Sequence, residues 1–75
     1  MNVVEFIVKM IVPDARLTKC EFTYDKMMWS FESKLGTFSI MYDEQQNRLY
    51  ISGLPIEVSK RIWYALRSYR LFGGK

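Results

Sequence analysis

The chain contains no histidine and a single cysteine, Cys20. Without histidine there is no imidazole to serve as acid, base or metal ligand near neutral pH. One thiol cannot close an intramolecular disulfide, nor can it supply the several soft ligands of a zinc or iron–sulfur site. Secreted domains this small ordinarily carry disulfide staples, so the lone cysteine points to a reducing, cytoplasmic setting. Proline occurs twice and glycine four times, and no glycine falls in a phosphate-cradling loop of either common spacing. Long apolar runs are missing too. The apolar opening, residues 1–12, is interrupted by Glu5 and Lys9 and has no basic leader. Neither a signal peptide nor a membrane-spanning helix is expected there.

Other reactive groups are sparse. Asp43-Glu44 is the one adjacent acidic pair, and its polar surroundings read as a solvated hairpin loop rather than an acid/base or calcium site. Cys20 stands mid-strand on an apolar alternation, with no base or cation beside it in sequence to activate a thiolate, and is expected in the core. No catalytic, cofactor-binding or metal-ligating residue can be assigned. The chain is read as not an enzyme. An active cleft assembled across a dimer is the one enzymatic alternative.

What is present is a large apolar content in a short chain. Of 75 residues, 49% are hydrophobic, including five Phe, five Tyr and two Trp. This suits one globular domain, residues 1–75. A chain of that size buries only about 60% of its unfolded surface, so an aromatic core has to carry the fold. Charge is unevenly distributed. Residues 58–75 hold five of the eleven basic side chains and no acid, whereas residues 1–57 hold six bases and all eight acids.

Hydrophobic periodicity orders the elements. Residues 2–12 alternate with period two, Val4, Phe6, Val8, Met10 and Val12 on one face and Val3, Ile7 and Ile11 on the other. β-Branched residues in that pattern predict a strand covered on both sides. The second face, Val3, Ile7 and Ile11, would serve either the core or a homodimer. Residues 17–24 predict a half-buried strand with Cys20, Phe22 and Tyr24 inward. Residues 27–32 predict another strand. Its rival is a helix capped by Asp25 and ending at Gly36, with Met27, Met28, Phe31 and Leu35 on one face. Residues 37–42 and 48–52 predict a hairpin around the polar run 43–47. From Pro55 to about Leu71 the period becomes helical, with Val58, Ile62, Ala65, Leu66 and Tyr69 on one side.

The expected architecture is α+β: an antiparallel meander sheet of four or five strands packed on one C-terminal amphipathic helix. Its core would be Val4, Phe6, Val8, Met10, Cys20, Phe22, Phe31, Phe38, Ile40, Leu49, Ile51, Val58, Ile62, Leu66 and Tyr69. Two surfaces could bind a partner. One is the polar face of the helix, where Lys60, Arg61, Tyr64 and Arg67 interleave cations with an aromatic ring, a pattern that can neutralise phosphates and stack on a base. The other is the outward sheet face, where Met28, Met41, Arg48 and Tyr50 lie among small hydroxyl residues, and Met and Tyr are enriched at interfaces. An outward Trp29 would strengthen a stacking role. The leading expectation is a small regulatory or inhibitory protein that docks on another protein, in a short, motif-free form that suits accessory factors of viruses or mobile elements. The alternative is a nucleic-acid binder using the basic helix face and sheet aromatics.

Overall fold

The computed structural model describes residues 3–68. The element order is α1 (Val3–Ile11), β1 (Arg16–Phe22), β2 (Lys26–Ser33), β3 (Gly36–Asp43), β4 (Arg48–Ser52) and α2 (Ile56–Ser68). The four strands form one antiparallel meander sheet in the order β1-β2-β3-β4. The fold is α+β, with a helix at each end of the sheet segment. Residues 26–33 are a strand, not the rival helix, and Trp29 is buried rather than outward. Of the expected core, Tyr69 lies outside the described residues.

The strand register divides the side chains cleanly. Cross-strand partners share a face, and successive residues alternate faces. Cys20, Trp29, Ile40 and Ile51 are aligned across the four strands, as are Phe22, Met27, Tyr42 and Leu49. These two rows, with Leu17, Phe31 and Phe38, form the helix-facing side. Phe31 and Phe38 stack with ring centroids 5.1 Å apart. The other side carries Lys19, Glu21, Met28, Ser30, Ser39, Met41, Tyr50 and Ser52.

The opening segment is a helix, which corrects the strand expected over residues 2–12. Read with helical spacing, Val4, Ile7, Val8, Ile11 and Val12 make one continuous stripe, and all five belong to or pack against the core. Glu5 and Lys9, four residues apart, form an ion pair of 3.4 Å on the helix surface. A nine-residue helix is marginal in isolation, so α1 depends on its packing, chiefly against α2. α2 in turn packs on β4. Ile62 and Leu66 are fully buried beneath α2, with Val58, Trp63 and Ala65 partly buried alongside.

The helix at the start changes which residues are inside. Phe6 and Met10, expected in the core, are exposed and form with Val3 a second apolar stripe on α1. Ile7 is 1% exposed, so the homodimer surface drawn through Val3, Ile7 and Ile11 does not exist as a free face. Cys20 and Phe22 point to the helix side as expected, but both are exposed, Phe22 at 65%. Their strand lies at the sheet edge, beyond the cover of the helices. Phe22 only touches Trp29 edge-on at 6.1 Å. Tyr24, also expected inward, stands in the β1–β2 turn and is 93% exposed. Trp29, Tyr42, Val12 and Ala15 are core residues in their place.

The link from sheet to α2 turns on Gly53, whose φ is +97°. A Cβ there would lie 2.5 Å from the Thr37 carbonyl oxygen and 2.8 Å from the Phe38 Cα. Both neighbours are backbone of the central strand β3 and cannot swing aside. Gly53→Ala is therefore expected to destabilise the fold by about 1–3 kcal/mol. Thermal unfolding should show it as a midpoint lowered by roughly 4–8 °C per kcal/mol. An unchanged midpoint would mean that β3 does not approach the turn this closely.

Candidate functional site

The open side of the sheet is built by register. Glu21 pairs with Met28, Met28 with Met41, and Met41 with Tyr50. One line of side chains therefore crosses all four strands, acidic at the β1 edge, apolar in the middle and aromatic at the β4 edge. The adjacent line is Lys19, Ser30, Ser39 and Ser52, with the hydroxyls of Ser39 and Ser52 3.1 Å apart. Met28 and Met41 are half-buried beside that line. Met28 and Met41 floor a depression of about 220 Å³, rimmed by Glu21, Thr23 and Lys26. Thioethers are flexible and polarisable, so such a floor can mould to an inserted apolar side chain.

Next to Tyr50 the surface turns the corner of the sheet. Arg48 and Tyr50 of β4 meet Trp63 and Arg67 of α2 across a groove of about 400 Å³, with Gln46 and Asn47 at its end. The Arg67 guanidinium lies over the Trp63 ring, 5.0 Å from its centroid, a cation–π contact that holds the charge in place. The β3–β4 loop is shaped for this position. Asp43 accepts the backbone N–H groups of Gln45 (3.0 Å) and Gln46 (3.2 Å), and Asn47 takes the left-handed conformation at φ 53°. The Tyr42 hydroxyl donates to the Asn47 side-chain carbonyl at 2.7 Å, and that of Tyr50 to Gln46 at 3.3 Å. Asp43 is buried and its carboxylate closes this turn. Glu44 is exposed and ties the loop to Asp25 through its backbone N–H, at 2.8 Å.

The remaining α2 candidates sit apart from that groove. Lys60, Arg61 and Tyr64 are exposed on the helix, and Tyr64 meets Trp63 edge-on at 5.2 Å. The structure thus regroups the eight candidate residues. Met28, Met41, Arg48 and Tyr50 form one surface that continues into Arg67, whereas Lys60, Arg61 and Tyr64 do not line its groove, Tyr64 adjoining it through Trp63. Trp63, not among the eight candidates, is the residue that joins Arg67 to β4. Its i, i+4 spacing from Arg67 is the sequence signal for that contact.

Among the described residues no group of three or more His, Cys, Asp or Glu is placed to hold a metal ion. Among the same residues no helix is long and apolar enough to cross a membrane. The chain matches no protein-family model, no curated protein and no solved structure. The reading of function accordingly rests on the surfaces just described.

Proposed function

We propose that this is a small non-enzymatic binding protein, a regulator or inhibitor acting in the cytoplasm by docking on another protein. The carrying observation is the cross-strand line Met28–Met41–Tyr50 on the uncovered side of the sheet. Its apolar floor accepts a protruding side chain, and Arg48 and Arg67 at the β4 end favour an acidic group on the partner. An apolar centre with a polar, charged margin is the usual anatomy of a protein interface. Its one-domain form, empty of catalytic motifs, fits an accessory factor of a virus or mobile element.

A nucleic-acid reading has its own support in Lys60, Arg61 and Tyr64, exposed together on α2. It is the weaker of the two. The Trp63 ring already carries Arg67 on one face, and the strands bear few cations. The two readings separate in one experiment. The tagged protein is used to capture partners from lysate, with and without nuclease. Nuclease-resistant recovery of a single protein supports docking on a protein. Loss of all signal after nuclease, with an affinity that falls steeply with salt and weakens when Lys60, Arg61 and Arg67 become Ala, overturns it in favour of nucleic acid.

A further inference from the structure

Among the described residues β1 is an edge strand with no neighbour on its outer side, and all but one of its seven residues are exposed. Such an edge presents unpaired main-chain groups and is a template for pairing. Which groups point outward follows from the hairpin. The Thr23 N–H donates to the Lys26 carbonyl at 2.8 Å. Main-chain groups alternate along an antiparallel ladder, so Glu21 and Lys19 also direct theirs toward β2. Cys20 and Phe22 direct theirs to the open side.

The geometry points to a symmetric homodimer in which β1 pairs antiparallel with β1 of a second copy, the two-fold axis passing at Cys20. That register brings Cys20 opposite Cys20 and sets Lys19 opposite Glu21 of the other copy, twice. Within its own strand Lys19 already pairs with Glu21 at 3.3 Å, so the two ion pairs join into one four-charge cluster of alternating sign. It runs from Thr18 to Phe22, ending at the bulge between Leu17 and Lys19. The neighbouring registers fail on charge or length. An axis at Lys19 or Glu21 opposes like charges at its centre. An axis at Phe22 runs into the turn after Thr23, and one at Thr18 falls on the bulge. The edge is thus self-complementary in one alignment. A two-fold axis perpendicular to the sheet keeps both helix layers on one side. Exposed Cys20 and Phe22 of both copies would then meet on that side, which also carries the exposed Val3, Phe6 and Met10 stripe of α1. The Lys19–Glu21 pairs lie on the same side of the sheet as the Met28–Met41–Tyr50 line, and Glu21 rims its depression, so the dimer contact flanks the proposed docking surface at the β1 edge. The pairing follows from the edge itself and not from the proposed partner.

Light scattering across a concentration series, together with thiol cross-linking by a short bismaleimide, tests the pairing. The expected result is a dimer that cross-links through Cys20. Lys19→Glu should weaken it about tenfold or more, because two attractive cross-strand pairs become repulsive. The double variant Lys19→Glu/Glu21→Lys should restore it, since the charges exchange places across the axis. Circular dichroism confirms that these exposed substitutions leave the fold intact. A monomeric wild type overturns the proposal and leaves the edge to a strand of a different protein. A dimer indifferent to Lys19→Glu, or one that resists cross-linking at Cys20, also overturns it and points to the α1 stripe as the contact.

Discussion

Ile62→Asp is expected to abolish cooperative folding. Ile62 is fully buried on α2, where it faces both the sheet and α1 as part of the shared core. Removing the aliphatic side chain from such a site costs about 2–5 kcal/mol. An unpaired carboxylate in its place adds a desolvation penalty of several kcal/mol. A domain of 75 residues has a total stability of about 4–11 kcal/mol, so the two effects together reach or exceed what holds the fold. Arg61→Asp introduces the same side chain on the exposed side of the same helix and should change stability by about 0.5 kcal/mol or less. Urea unfolding followed by tryptophan fluorescence compares the two. A sigmoidal transition in Ile62→Asp at a midpoint near that of the unaltered protein would refute the packing of α2 on the sheet.

The contrast between those two neighbours rests on helical periodicity, and periodicity made most of this fold legible in advance. Phe31, Phe38 and Ile40 face one way on β2 and β3, which are flanked by strands on both sides. Leu49 faces the same way on β4, against which α2 packs, and all four are inside. Ile62 and Leu66 are spaced for one helix face and are inside too. The failures share a cause that no local pattern contains. Cys20 and Phe22 point in the expected direction, yet whether a side chain is buried depends on what lies over it, and among the described residues nothing lies over the β1 edge. Residues 3–11 are the reverse case. Nearly every position is apolar, so period two and period 3.6 both find a match. The Glu5–Lys9 spacing and the stripe Val4, Ile7, Val8, Ile11, Val12 favour the helix. The alternation of β-branched residues favoured the strand, and the second helix over the sheet decided the matter by completing the core.

The candidate site divided along the same line. Met28, Met41 and Tyr50 could be placed on the outward face from alternation alone. Their alignment into one row needed the register, which the two hairpins fix through their turn lengths. The approach of Arg67 to Arg48 and Tyr50 needed the packing of α2 against β4, a contact between elements adjacent in sequence but set by the tight turn at Gly53. Helical spacing groups Lys60, Arg61 and Tyr64 with Arg67, Lys60 and Arg67 standing seven apart with Tyr64 between them on the polar face. Trp63 and Arg67 line the groove against β4, which Lys60, Arg61 and Tyr64 do not, and Tyr64 adjoins it through its edge-on contact with Trp63.

Met41→Glu should release the docking partner while leaving the fold in place. Met41 lies between Met28 and Tyr50 on the uncovered side of the sheet and is only partly buried. A carboxylate there remains hydrated in the unbound protein, so the cost to stability stays near that of a surface change, about 0.5 kcal/mol. In a complex the same group would be trapped without water at the centre of the contact. Interface centres of this kind lose 2 kcal/mol or more on disruption, a fall in affinity of about 30-fold or greater. Ser30→Glu, on the neighbouring row, is the control that adds the same charge away from the apolar floor and should cost less. Binding measured by titration calorimetry, with unfolding midpoints measured on the same samples, separates loss of contact from loss of fold. If Met41→Glu binds the captured partner as tightly as the unaltered protein does, the open sheet face is not the docking surface, and Arg48, Trp63 and Arg67 must hold the partner without it.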